Sequence, residues 1–191
     1  MQLTYAYHCD SHNAINGMIR SNCLISIGAN VSGPWGDPME TLRRSLDILE
    51  QNRVFIAACS RIYRTCPHFG AGLMPDFYNA VALAHTDLAL GGLLRLFKAI
   101  ERRAGRRPRA RWSARALDLD LVDYGGRILN WPALNRAGGP LVLPHPLMHE
   151  RGFVLVPLEE AAPHWRHPAL GLTAGALLRR RPDLRRGIAP A

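Results

Sequence analysis

Leu117, Leu119 and Leu121 alternate with Asp118 and Asp120, the pattern of a β-strand with one face buried and the other polar. Gly125 and Gly126 follow, so the strand is expected to reverse there into residues 127–129. Side chains two apart on a strand point the same way, with Cα atoms roughly 7 Å apart, so the two carboxylates can converge on one or two metal ions. Mg²⁺ suits such a pair, because it takes a few carboxylate oxygens plus phosphate and water, and paired ions about 4 Å apart can clamp a phosphoryl group. A solvent-facing acidic pair would show the same spacing. The neighbours argue otherwise: Arg106, Arg107, Arg109, Arg111, Trp112 and Arg115 lie immediately upstream, and guanidinium groups beside a metal point to a polyphosphate.

The rest of the chain supplies partners for this strand. Leu24, Ile25, Ser26 and Ile27 form an apolar run closed by Gly28, Ala29 and Asn30, a strand entering a loop. Asp37, Pro38 and Glu40 then provide an N-cap, a first-turn proline and an N3 carboxylate, with Met39, Leu42, Leu46 and Leu49 on one helical face. Residues 54–64 and 77–85 are rich in β-formers, and Pro67, Gly70, Gly72 and Pro75 mark a long loop between them. Leu93, Leu96, Phe97 and Ile100 recur at helical spacing before Gly105, predicting a second helix over 90–104. Strand, helix, strand, strand, helix, strand is the order of a split βαβ unit. The expected fold is therefore α/β (α+β): a ferredoxin-like sandwich, its antiparallel sheet flanked by helices, in the simplest form on one side.

At 191 residues one domain is expected over 22–180, preceded by a polar extension (1–21) and followed by a basic tail (181–191), with disorder only at the ends. The net charge of +9, concentrated in residues 102–115 and 179–186, favours a polyanionic partner without naming it. Cys9, Cys23, Cys59 and Cys66 have neither zinc-site spacing nor disulfide-scaffold density, and no secretory signal or membrane-length run is visible. A cytoplasmic protein with reduced thiols is expected. His145 and His149 are spaced as a helical metal pair but lack a third ligand for zinc, and His164 and His167 flank Trp165 in what reads as a surface turn.

The run from Arg111 through Trp112, Ser113, Ala114, Arg115, Ala116 and Leu117 to Asp118, Leu119 and Asp120 resembles the signature of the 6-hydroxymethyl-7,8-dihydropterin pyrophosphokinase family. Four further motifs match in order: Gly28, Ala29, Asn30; Tyr63, Arg64, Thr65; Pro75, Asp76, Phe77, Tyr78, Asn79; and Leu143, Pro144, His145 with Arg151, Gly152, Phe153. The resemblance covers about residues 24–170. It implies transfer of pyrophosphate from ATP to 6-hydroxymethyl-7,8-dihydropterin, releasing AMP, with two Mg²⁺ ions held by Asp118 and Asp120. By the same matching, Arg106, Arg111, Trp112, Arg115, His145 and Arg151 contact ATP, with Arg106 and Arg115 also catalytic, and Trp112 belongs to a loop that closes on substrates. Phe77 and Phe153 sandwich the pterin, Asn79 reads its amide edge and Thr65 assists. ATP and the pterin are the expected partners of a monomer; nucleic acid and membrane are not. A second fused folate enzyme is not expected at this length.

Pro108, and Ser113 with Ala114, depart from the family's usual arginine and glycine-proline, so loop closure is where this chain is expected to differ. Residues 31–36, with Trp35, and an apparent insertion over 131–140 have no assigned role. An RNA-recognition domain shares the expected fold, but its central strand would carry aromatics for base stacking where this chain has Asp118 and Asp120. A relative that binds ATP and pterin without turnover is the third reading.

Overall fold

The computed structural model describes residues 21–66, 75–106, 114–132 and 139–191, and the backbone of 14–15 and 18–19. Six strands form one sheet: β1 (Ser21–Ala29), β2 (Val54–Cys59), β3 (Tyr63–Thr65), β4 (Phe77–Thr86), β5 (Asp118–Tyr124) and β6 (Ile188–Pro190). Helices α1 (Pro38–Gln51), α2 (Leu90–Arg103), α3 (Gly152–Ala161) and α4 (Ala174–Arg180) pack on it. Every strand pairing is antiparallel, in the order β5, β1, β4, β3, β6, with β2 also beside β4. Since β2 and β3 share one side of β4, this is the ferredoxin-like order the sequence predicts.

Alternation sorts the sheet residues between two cores. Ile25, Ile27, Ala80, Ala82, Leu119 and Leu121 face α1 and α2, packing with Leu42, Leu49, Leu93 and Phe97. Leu24, Val81, Leu83 and Val122 face α3 and α4, packing with Leu155, Leu158 and Leu178. The expectation of helices on one side thus holds only for α1 and α2; the second pair buries the other face. The capping box of α1 is formed, Glu40 N–H donating to Asp37 Oδ1 and Asp37 N–H to Glu40 Oε2, each at 2.9 Å.

Two expected strands differ. Residues 54–64 are interrupted at Ser60, whose N–H donates to Val81 O and whose Oγ accepts from Val81 N–H, each at 3.0 Å. A side chain here takes over a rung of the ladder, and the chain kinks into β3. Beyond the glycine turn at Gly125 and Gly126, both at positive φ, residues 127–129 form no strand; Leu129 makes an isolated bridge to Leu143. The end of the chain, expected to be disordered, is built into the sheet as β6 after a 3-10 turn, Pro182–Arg185.

Candidate active site

Asn79, Asp118 and Asp120, expected from the sequence to meet substrate or metal, lie on the α3-facing side of the sheet. Asn79 on β4, Gly28 on β1 and Asp118 on β5 are direct register partners, and the next row is Val81, Ser26 and Asp120. Directly opposed residues share a face, so Asn79 and Asp118 stand on the same surface two strand spacings apart, about 10 Å. Gly28 keeps the ground between them open. A Cβ there would lie 2.9 Å from Asn79 Oδ1.

Asp118 is clasped by two arginines. Arg106 Nη1 donates to Oδ1 at 2.5 Å, and Arg115 Nη1 donates to Oδ2. Arg106 also pairs with Glu101 of α2, a residue that matched no motif. Glu101 has 1% of its side chain exposed, yet it accepts from the backbone N–H of Leu119, between the two aspartates, at 2.9 Å, and from Lys98 Nζ at 2.9 Å. Burial opposes the charge on Arg106, but Asp118 and Glu101 outweigh it and raise its pKa. The loop bearing Arg115 is fixed by a reciprocal clasp: Asn30 Oδ1 accepts from Arg115 N–H at 2.7 Å, and Asn30 N–H donates to Arg115 O at 3.0 Å.

His145 and Arg151 complete the basic side. Burial holds both pKa values below their ordinary values, while Asp120 and Asp118 pull upward; the Arg151 charge lowers the His145 pKa further, and the Arg115 charge lowers that of Arg151. Leu147 N–H donates to His145 Nδ1 at 3.3 Å, which places the proton of the neutral ring on Nε2. Arg106, Arg115, Asp118, Asp120, His145 and Arg151 are therefore brought into one electrostatic neighbourhood. Arg111 and Trp112, with Arg107, Pro108, Arg109 and Ser113, lie outside the described residues.

On the other side, Asn79 Nδ2 donates to Thr65 Oγ1 at 2.9 Å, and Thr65 Oγ1 donates to Phe77 O at 3.4 Å. Asn79 is 4% exposed, and its hydrogen bond answers the satisfaction that a buried amide requires. Phe77 begins β4 half-buried; Phe153, near the start of α3, packs against the second core with the Arg151 guanidinium 5.7 Å from its ring.

The histidines elsewhere correct two expectations. His149 lies in a 3-10 turn, not an α-helix, and its ring contacts Trp131 and His167 at centroid distances of 6.0 and 5.9 Å. His167 is buried, with Nδ1 accepting from the backbone N–H groups of Ala169 and Leu170; only His164 of that pair is exposed. Among the described residues no group of three or more His, Cys, Asp and Glu is placed to hold a metal, and no helix is long and apolar enough to cross a membrane.

Fold and site together define the class: an α/β sandwich of ferredoxin-like order whose sheet presents paired aspartates, arginines and a buried amide on one face. The comparisons make the assignment specific. The sequence model of 7,8-dihydro-6-hydroxymethylpterin-pyrophosphokinase (HPPK) matches residues 24–163, and the chain belongs to this family. It is 35% identical over 150 residues to the 2-amino-4-hydroxy-6-hydroxymethyldihydropteridine pyrophosphokinase of Synechocystis, covering 78% of this chain and 71% of that one. To the enzyme of the same name from Pseudomonas aeruginosa it is 35% identical over 145 residues, covering 75% and 82%. A Dictyostelium discoideum folic acid synthesis protein is 32% identical over 169 residues, 88% of this chain but only 24% of that protein. The wild-type Plasmodium falciparum HPPK-DHPS crystal structure superposes with a TM-score of 0.67 at 13% identity, covering 90% of this chain and 46% of that one, which shows the shared fold.

Proposed function

We propose that this chain is a Mg²⁺-dependent enzyme that transfers the pyrophosphoryl group of ATP to 6-hydroxymethyl-7,8-dihydropterin in folate biosynthesis, giving AMP and the pterin pyrophosphate. The observation that carries this reading is the row Asn79, Gly28, Asp118. It sets an amide suited to reading a pterin edge and a carboxylate suited to a phosphate-bound metal on one surface, with nothing larger than a glycine between them.

The donor set fits magnesium. Asp118 and Asp120 offer oxygen only, and a carboxylate accepting from Arg106 and Arg115 keeps lone pairs free, since it has about four acceptor sites. Two carboxylates would act together with phosphate and water oxygens, and the bound ions would neutralise phosphate charge as the bond to the leaving group breaks. The hydroxymethyl oxygen of the pterin bonds to the β-phosphorus of ATP. The bond from that phosphorus to the oxygen bridging it to the α-phosphorus breaks, AMP leaves with that oxygen, and the hydroxyl proton passes to solvent.

The protein's own part is positioning and charge. Thr65 orients Asn79 toward the pterin, and Phe77 and Phe153 supply aromatic faces for its ring. Arg106 and Arg115, on transfer from Asp118 to the triphosphate, neutralise its charge as catalytic groups; His145 through Nε2–H and Arg151 donate to it. Arg111 and Trp112 join this ATP-binding set from the segment between Arg106 and Ala114. The free thiols Cys23, Cys59 and Cys66 suit a cytoplasmic enzyme, acting as a monomer without nucleic-acid or membrane partners. Purified protein given ATP, the pterin and Mg²⁺ should form AMP, and chelation with EDTA should stop it. Absence of pterin-dependent AMP, or formation of ADP in its place, overturns the proposal.

A further inference from the structure

The end of the chain touches the pterin side of the site at two points. β6 extends the sheet beyond β3: Tyr63, Arg64 and Thr65 pair with Pro190, Ala189 and Ile188. Cys66 N–H donates to Gly187 O at 3.2 Å, and Ala191 N–H to Ile62 O at 2.9 Å. Thr65, which orients Asn79, is therefore held in a ladder on both sides. Without β6, β3 would be a three-residue edge strand, an arrangement that frays at low free-energy cost.

The second contact is at the start of α3. A Cβ on Gly152 would lie 1.8 Å from Leu184 O and 3.0 Å from Ile188 Cδ1, so the backbone of the 3-10 turn rests directly on the residue between Arg151 and Phe153. Leu184 also packs against the core beneath α3, and Arg185 Nη2 pairs with Glu159 of α3 at 2.6 Å. Only a glycine at 152 admits this approach. Residues 182–191 lie beyond the 24–163 span of the family match.

We propose that residues 182–191 form a strap that positions the pterin-reading residues, Thr65 with Asn79 on one side and Phe153 on the other, and so sets pterin affinity more than ATP affinity. Asp118 and Asp120 sit on β5, at the opposite edge of the sheet from β6, with Arg106 and Arg115 on Asp118; of the described ATP-side residues Arg151 alone adjoins Gly152. This rests on the pterin assignment above, so the test includes a readout that needs no substrate.

Three variants decide it: deletion of 182–191, Gly152→Ala, and the two combined. Hydrogen exchange is expected to show faster exchange confined to the amides of β3 and the first turn of α3 in each, with β5 and α2 unchanged. In steady-state assays the KM for the pterin should rise about tenfold, the KM for ATP by no more than about threefold through Arg151, and kcat should stay within about twofold. Because Gly152→Ala acts by displacing the strap, it should add nothing in the deleted chain. Unchanged exchange at β3 and α3, loss of protection across the whole sheet, equal rises in both KM values, or additive effects would each overturn the strap. If the intact chain makes no AMP, the functional proposal fails and hydrogen exchange still judges the contact.

Discussion

Glu101 makes the most quantitative prediction. Replacing it with Gln keeps an oxygen to accept from Leu119 N–H but removes the negative charge that faces Arg106 and Lys98. The Lys98 contribution is small, because that side chain is 59% exposed and exposed pairs contribute about 0–1 kcal/mol. Arg106 is 27% exposed, and a hydrogen bond to a charged group is worth about 1.5–3 kcal/mol. Because Arg106 keeps Asp118, the lower half applies: about 2 kcal/mol, or a fall in Tm of about 4–8 °C at this size. Glu101→Ala adds an orphaned buried N–H at Leu119, a further cost of about 1–3 kcal/mol. Thermal unfolding by circular dichroism should rank wild type above Gln above Ala. Turnover should fall in the same order at a temperature where all three are folded, because Leu119 sits between the two aspartates. Equal melting temperatures for the Gln and Ala variants would refute the claim that Glu101 holds the β5 backbone.

Other outcomes follow from the same geometry. Asp118→Ala and Asp120→Ala should each abolish AMP formation while the far-UV circular dichroism spectrum stays that of the folded protein; unchanged turnover in either removes that residue from the metal site. Gly28→Ala should raise the KM for the pterin by about tenfold, since the new methyl meets Asn79 Oδ1 at 2.9 Å, and titration of pterin binding checks it. Burial and then His149 lower the His167 pKa from 6.5 to about 4. The unfolded chain therefore takes up this proton first as pH falls. Stability contributed by neutral His167 is present above pH 6.5, declines between 6.5 and about 4, and amounts to at most about 3 kcal/mol. Urea unfolding across that window should show the decline, and His167→Phe should flatten it; an unchanged slope in the variant assigns the pH dependence to another group.

What could be read from the sequence, and what could not, divides along a physical line. The Leu and Asp alternation at 117–121, the capping box at Asp37 and Glu40, and the helical spacing of Leu93, Phe97 and Ile100 are local, and each produced the expected element. The break at Ser60 was hidden because it depends on a hydroxyl meeting Val81 on another strand, a contact with no local signature. The second helical layer was obscured for a different reason: α3 buries Gly152, Val154, Leu155, Pro157, Leu158 and Ala161, too many sides for a single stripe to show, as expected of a helix enclosed between sheet and α4. Glu101 carries the same lesson into the site. In the sequence it is one more charge on the polar end of an amphipathic helix, and only tertiary packing reveals a buried carboxylate that binds an arginine and a strand amide at once. His167 erred in the opposite direction, because Pro163 and Pro168 mark a turn correctly but do not say that the ring folds inward among Trp131, His149 and Trp165. The residues expected to meet substrate could be singled out by type, because phosphate and pterin chemistry dictate which side chains would serve. Those that hold them in place could not, because any residue of suitable shape and charge at the right point in space could do so, and that point is set by the fold.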